Sequence, residues 1–316
     1  MTMLSRRAFG LSLAAGGVVL GAAATPLFAQ TSTALPPAVA GASLGAYRIT
    51  AILDGIVPLG RPFFQGGEEV DAFLASEGLG PEALPAPISA FLLQSADRTI
   101  LIDAGMGDVE AFGPGFGRLT AGLAALGVEA SDVDTVILTH AHPDHLGGLV
   151  LAGVPAFPNA ELVLSEAESA FWTDAAMQAA APAEAQGLFQ LAAGTLQAYG
   201  TRVTLVQDGA EVAPGVTLHV SPGHTPGHGI LLIDGGDRQM MMIADTVHSA
   251  DLHTALPETG FGFDVDTALA IQSRLRLFDE IASDKILVTG SHLHFPGFGR
   301  ILPAGDAYRF VPATLG

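Results

Sequence analysis

The chain has 316 residues, with 13 lysines and arginines against 32 aspartates and glutamates, for a formal net charge of −19. Such a surface repels phosphate backbones, which sets nucleic acid aside as a partner and disfavours a highly anionic substrate unless bound cations dominate locally. There is no cysteine, so disulfides, thiolate ligands, iron–sulfur clusters and cysteine nucleophiles are excluded. High apolar content with few charges fits a compact globular enzyme and not a disordered chain.

The N-terminus carries Ser5-Arg6-Arg7-Ala8-Phe9, which resembles the bacterial twin-arginine export motif. An apolar Gly/Ala-rich run from Gly10 to Ala24 follows, and Leu27-Phe28-Ala29 is a small-residue cleavage site. Residues 1–29 are therefore read as an export signal, with an uncleaved anchor as the alternative. The run is short for a membrane span, which needs about 20 residues. The resemblance implies the twin-arginine machinery as a partner and a periplasmic or secreted location. Residues 30–45 are read as a flexible linker, and residues 46–316 as one globular domain.

From Tyr47 onward, short apolar runs alternate with Gly, Pro and Asp. They predict strands over residues 47–54, 88–94, 99–103, 135–139 and 161–165, then 202–206, 216–220, 230–233, 239–244 and 285–289. Helices are expected over 118–125, 167–177, 183–198 and 266–281, the last with Asp264 and Asp266 as capping candidates. Strands, helices, strands and a final helix predict an α+β plan: two mixed sheets face to face, flanked by helices in an αββα sandwich. Met240-Met-Met242 is read as core strand, with a subunit interface, and so a homodimer, as the other use. Two loops at 62–67 and 112–117 combine aromatics with Gly and Pro and are candidates for a pocket mouth. Phe63, Phe64, Phe112, Phe116, Trp172 and Phe261 are candidate pocket aromatics, each also a candidate core residue.

The most informative stretch is Thr139-His-Ala-His-Pro-Asp-His-Leu-Gly-Gly148. It places His140, His142, Asp144 and His145 directly after an apolar run, in a chain with only 10 histidines. Imidazole and carboxylate are the usual ligands of zinc and similar ions where cysteine is absent. On a strand ending in a turn, His140 and His142 would face one ion, with Asp144 and His145 facing a second. Three further strands end in metal-capable groups: Pro222-Gly-His224-Thr-Pro-Gly-His228, Ala244-Asp245-Thr246, and Ser291-His292-Leu-His294-Phe-Pro-Gly297. Strand ends converging on one edge are where open sheets hold their sites.

H-x-H-x-D-H, then P-G-H-T-P-G-H, then A-D-T, then a late histidine before F-P-G, resembles the metallo-β-lactamase superfamily over most of residues 47–300. The pattern is most similar to the branch of methyl parathion hydrolase and related exported lactonases and esterases. The resemblance implies that His140, His142 and His224 hold the first of two divalent ions. Asp144, His145 and His292 would hold the second, with Asp245 bridging. Zinc is the first candidate, and cobalt, manganese or iron would tolerate the same ligands. The implied activity is hydrolysis of a small neutral ester, lactone or phosphotriester by a metal-bridging hydroxide, with Asp144 or Asp245 as proton-handling catalytic carboxylates. An export route for folded proteins suits a metal site that forms as the chain folds.

Asp103 in Leu101-Ile-Asp-Ala-Gly105 would support a ligand histidine. His292 is preferred over His294 as the ligand, and His228 is read as a supporting residue. His248 is left open between pocket and structure, and His219 and His253 are read as structural or exposed. A glyoxalase II-like thioesterase is the enzymatic alternative, disfavoured because Lys285 is the only lysine. A non-catalytic periplasmic metal-binding protein is the other.

Overall fold

Alternation along the strands builds two opposite apolar faces on each sheet. In the first sheet Ile100 and Ile102 point one way and Leu101 the other, as the two-residue period of a strand requires. This computed structural model describes residues 36–80, 84–109, 115–183 and 185–313. The export segment 1–29, residues 30–35 of the expected linker, and Phe112 lie outside the described residues.

The first sheet runs in chain order: β1 (Val39–Leu44), β2 (Tyr47–Leu59), β3 (Leu84–Gln94), β4 (Thr99–Ile102), β5 (Thr135–Ile137), β6 (Glu161–Ser165) and β7 (Val203–Val206). β1 to β4 are antiparallel neighbours, and β4 to β7 are parallel. The second sheet also runs in chain order: β8 (Ala210–Ala213), β9 (Val216–Val220), β10 (Gly229–Asp234), β11 (Gln239–Met242), β12 (Leu287–Thr289), β13 (Gly299–Ala304) and β14 (Ala307–Pro312). Only its β11–β12 pair is parallel.

Helices lie outside both sheets. They are α1 (Glu68–Ser76), α2 (Leu119–Ala125), α3 (Pro143–Leu146), α4 (Glu166–Trp172), α5 (Ala175–Ala180), α6 (Gln186–Tyr199), α7 (Ala250–Ala255) and α8 (Thr267–Asp284). Ile49, Phe91, Ile100 and Ile102 of the first sheet meet Leu218, Leu231, Met240 and Met242 of the second in the inter-sheet core. The reverse faces bury Leu101, Val136 and Leu162 under α2 and α6, and Met241 and Val288 under α8. The α+β sandwich of two mixed sheets is as expected from the sequence, and all three methionines of 240–242 are core. α8 buries Ala270, Leu277, Phe278 and Ile281 at helical spacing, and Asp266 caps it by accepting from Leu269 N–H at 3.0 Å. Each fully buried large side chain there contributes about 1.5–3 kcal/mol.

Three expectations are corrected. The linker 30–45 gives way to strand at Val39–Leu44, whose Ala/Gly-rich sequence carries little apolar signal but pairs with β2. The helix at 167–177 is broken into α4 and α5, because Asp174 caps a new helix through Ala176 N–H and Met177 N–H. β2 and β3 run further than the expected ends at 54 and 88. Their extension pairs Pro58 with Pro85, beyond β1's last pairing at Ile52. Prolines are tolerated there because that flank has no neighbour needing their missing N–H. Among the described residues no helix is long and apolar enough to cross a membrane.

Candidate metal centre

Four strand ends at one rim of the sandwich deliver the polar side chains. β5 leads into His140 and His142, two residues apart in extended chain and therefore on one side. His142 is extended (φ −74°, ψ 156°) because Pro143 follows, and Pro143 opens α3, which carries Asp144 and His145. His224 follows β9, Asp245 follows β11, and His292 sits in the loop after β12. Gly223 before His224 has φ 130°, and a Cβ there would stand 2.1 Å from Ala270 N, so only glycine lets this loop lie against α8.

His142 Nδ1 lies 3.1 Å from His140 Nε2 and 2.9 Å from His224 Nε2. Beside this trio, Asp245 Oδ1 is 3.0 Å from His145 Nε2, and Asp245 Oδ2 is 3.2 Å from His292 Nε2. Asp144 Oδ2 is 3.5 Å from His145 Nε2 and 3.4 Å from His292 Nε2. Asp245 Oδ2 also reaches toward His140 and His224, at 3.6 and 3.4 Å, and so stands between the two groups. The structure thus brings together His140, His142 and His224 as one set, and Asp144, His145, Asp245 and His292 as a second.

The far side of four of the five rings is already committed. His145 Nδ1–H donates to Asp103 Oδ2 at 2.8 Å, His224 Nδ1–H to Asp264 Oδ1 at 3.0 Å, and His292 Nδ1–H to Pro87 O at 2.7 Å. Thr139 spends its hydroxyl proton on Asp103, leaving Oγ1 to accept from His140 Nδ1–H at 3.1 Å. Each of these rings therefore turns its Nε2 inward, the nitrogen that would bind a metal once its proton is displaced. His145 Nε2 and Asp245 Oδ1 are buried and lack a hydrogen-bond partner of good geometry. Converging lone pairs and buried carboxylates without a counterion fit two divalent cations.

The electrostatics point the same way. Burial would push His145 down, but Asp245, Asp144 and Asp103 hold it well above the usual imidazole range. Burial is likewise outweighed at His224, raised to about 9 by Asp245 and Asp264, and at His292, raised to about 10 by Asp245 and Asp144. Without cations, protons supply the positive charge the carboxylates require.

Residues 83–292 match the Lactamase_B family, the metallo-beta-lactamase superfamily. The chain belongs to the metallo-beta-lactamase superfamily. It is similar to an N-acyl homoserine lactonase of Bacillus sp., 27% identical over 67% of this chain and 83% of the relative, and to one of Bacillus cereus, 25% identical over 66% and 82%. Among solved structures, the hydrolase AbOPH of the beta lactamase superfamily superposes with TM-score 0.82 at 30% identity, covering 88% of this chain and 98% of that one. AidC, a dizinc quorum-quenching lactonase in complex with a product, gives TM-score 0.80 at 25% identity, covering 89% and 99%. This metallo-beta-lactamase superfamily member is a metal-dependent hydrolase.

Above the two ligand sets opens a cavity of about 470 Å³, with an apolar wall that includes Val57, Leu59, Leu188, Phe261 and Phe263. Of the expected pocket aromatics among the described residues, Phe261 alone lines it, and Phe63 stacks behind Phe261 and Phe263. Phe64 is core at 1% exposure, Trp172 turns its indole N–H to Glu168, and Phe116 packs on Gly55. Leu188 and Phe263 were not anticipated, since nothing in sequence marks which face of α6 or of a loop meets a cavity.

The remaining histidines divide clearly. His228 Nδ1–H donates to Ser221 O and its Nε2 accepts from Asp245 N–H, so it steadies Asp245 from behind. His248 lies in the pocket wall, stacked on Phe261 with ring centroids 3.6 Å apart, and forms a further close set with His224 and Asp245. His253 is fully buried and accepts from His248 N–H, while His219 is partly exposed beside Asp208. His294 does not share a strand face with His292, because 290–297 is a turn, and it pairs with Asp251 at 2.8 Å on the surface. Asp264 and Glu168 were missed as supports: the first read only as a helix cap, and the second not singled out within the helix expected over 167–177.

Proposed function

We propose that this hydrolase opens small neutral lactones, N-acyl homoserine lactones first among them. In this reading His140, His142 and His224 hold one divalent ion, Asp144, His145 and His292 hold the other, and Asp245 bridges. Zinc is the ion assigned, although cobalt, manganese or iron would be accepted by the same nitrogen and oxygen donors.

The observation that carries the reading is the apolar cavity standing directly on the two ligand sets. A neutral ring with an apolar arm matches it: the carbonyl goes to the floor and the arm lies against Leu188, Phe261 and Phe263. The high negative charge of the chain also favours a neutral substrate. The named activity of the Bacillus relatives and of AidC supports putting a lactone ahead of an open ester or a phosphotriester.

When bound, two divalent cations lower the pKa of a shared water and polarise the substrate carbonyl. The chain's own groups do the rest. Asp103, Asp264 and Pro87 O fix the ligand rings. Asp144 Oδ2 stands 3.5 Å from His145 Nε2 and 3.4 Å from His292 Nε2, where the charge of the second ion would keep the carboxyl ionised at neutral pH. It takes the proton of the attacking water and delivers it to the ring oxygen as the C–O bond breaks, giving a hydroxy acid. The Ser5-Arg6-Arg7-Ala8-Phe9 motif supports export of this enzyme in folded form.

The test measures proton release from N-hexanoyl homoserine lactone, an aryl ester and a methyl phosphotriester, with zinc-loaded and chelated protein. The largest kcat/KM is expected on the lactone, lost on chelation and in His140→Ala. A lactone rate below both others would overturn the substrate, and chelator-insensitive turnover would overturn the metal reading.

A further inference from the structure

Glu168 has no part in the chemistry just described, yet it is 0% exposed and sits between the two loops that carry the first histidine set. Its Oε1 accepts from Ala141 N–H at 2.8 Å and from Trp172 Nε1–H at 2.7 Å. Its Oε2 accepts from Thr225 Oγ1–H at 2.6 Å and from Gly227 N–H at 3.1 Å. Ala141 lies between His140 and His142, and Thr225 adjoins His224. One carboxylate therefore ties the peptide carrying two of the rings to the peptide carrying the third, beside the backbone bond from Gly229 N–H to Thr139 O at 2.8 Å that also joins the two sheets here.

The anchoring of Glu168 is itself built in. It occupies the first turn of α4, where Ser165 Oγ caps its N–H at 3.1 Å, and Ser165 Oγ–H donates to Gly227 O at 2.7 Å. A Cβ at Gly227 would come within 2.0 Å of Glu168 N, so the His224 loop lies directly on the helix start. A buried carboxylate so placed is costly unless its acceptor capacity is filled, and here four donors fill it.

From this geometry we infer that Glu168 is a positioning residue for the first metal ion, a clamp that sets the spacing of His140 and His142 against His224 and thereby the affinity of that site. The inference rests on the metal assignment under Proposed function, but not on the substrate. The partners impose a chemical demand that a glutamine cannot meet. The Ala141, Gly227 and Trp172 contacts are fixed donors, so whichever position the amide NH2 takes, it faces an N–H. The clamp then opens on one side while side-chain volume is unchanged.

The test titrates folded, full-length wild-type protein and Glu168→Gln with Zn2+ against a chromophoric chelator. One of the two equivalents is expected to weaken about 10–100-fold, the range for loss of a group that holds a metal ligand, with the other unchanged. Asp54→Asn serves as the comparison. Asp54 is an equally buried carboxylate accepting from Met106, Gly117 and Leu119 N–H, and not from the Ala141, Thr225 or Gly227 donors that Glu168 holds. It should lower the Tm of the metal-free protein without weakening that equivalent. Wild-type affinity for both equivalents in folded Glu168→Gln, or equal weakening in Asp54→Asn, would overturn the clamp. If Glu168→Gln does not fold, Thr225→Val decides, since it removes one donor on the His224 side and leaves the carboxylate in place. The same equivalent must weaken, and unchanged affinity overturns the inference. Because the readout is zinc binding, failure on every lactone would leave the result intact.

Discussion

Asp103 Oδ2 accepts from His145 Nδ1–H at 2.8 Å while the same carboxylate accepts from Thr139 N–H at 2.8 Å, so one side chain orients a ring of the second ligand set and the turn leading to the first. Asp103 adopts φ 58°, a left-handed conformation that asparagine also tolerates. Asp103→Asn therefore tests the carboxylate without disturbing the backbone. Its amide NH2 would confront donors and release His145. A loss of about 10–100-fold in affinity for the second equivalent of zinc is expected, read by chelator competition. Unchanged affinity would show that the His145 tautomer is fixed by something else.

His248 Nε2 lies 3.2 Å from Asp245 Oδ2 and belongs by distance to a set with His224 and Asp245, beside the two sets assigned to the ions. Stacking on Phe261 at an interplanar angle of 16° holds it as part of the pocket wall. His248→Phe preserves that packing and should leave two zinc ions per chain by elemental analysis, with the change confined to kcat and KM. A drop to one ion would reassign His248 as a ligand.

How far the site was legible depended on the kind of signal. His140, His142, Asp144 and His145 fall within six positions, and the others each follow an apolar strand, so local sequence placed them at one rim. The flat apolar runs of β4, β5 and β11 likewise announced the sheets. By contrast β1 is Ala/Gly-rich, and β13 and β14 are interrupted by Arg300, Pro303 and Arg309, so neither periodicity nor hydropathy marked them. The support layer was least visible. Pro87 acts through its carbonyl, which no side-chain pattern encodes. Glu168 and Asp264 lie on α4 and in the loop before α8, and they meet their histidines only after the sheets have packed.

The acyl pocket gives a prediction about chain length. Leu188 is half-buried on α6 and faces the cavity, so Leu188→Trp should shorten the apolar end without touching the ligand sets. KM for an N-decanoyl lactone should rise about ten-fold, within the range for loss of pocket volume, while the N-butanoyl lactone is little affected and zinc content stays the same. Equal effects on both lengths would place the acyl arm elsewhere.

The last prediction concerns pH and carries opposite signs on the two sides of neutrality. In metal-free protein His224 and His292 are raised from 6.5 to about 9 and about 10. The folded state then holds protons that the unfolded state releases above pH 6.5, so the stabilisation is full below 6.5 and fades as pH rises toward 10. His228 and His248 behave in reverse. Burial depresses them from 6.5 to about 3 and about 4, so their contribution is present above 6.5 and is lost as pH falls. The Tm of chelated protein should therefore peak near pH 6.5 and decline on both sides. Zinc must displace the protons on His145, His224 and His292, so its apparent affinity should climb between pH 7 and 10, with proton release on binding. The stabilisation it confers should widen over the same interval, since metal bound only to the folded state raises Tm in proportion to its affinity. Scanning calorimetry of chelated and zinc-loaded protein across pH 5 to 10 measures both curves. A chelated protein whose Tm stays level from pH 7 to 10 would remove the protonated histidines from the metal-free site.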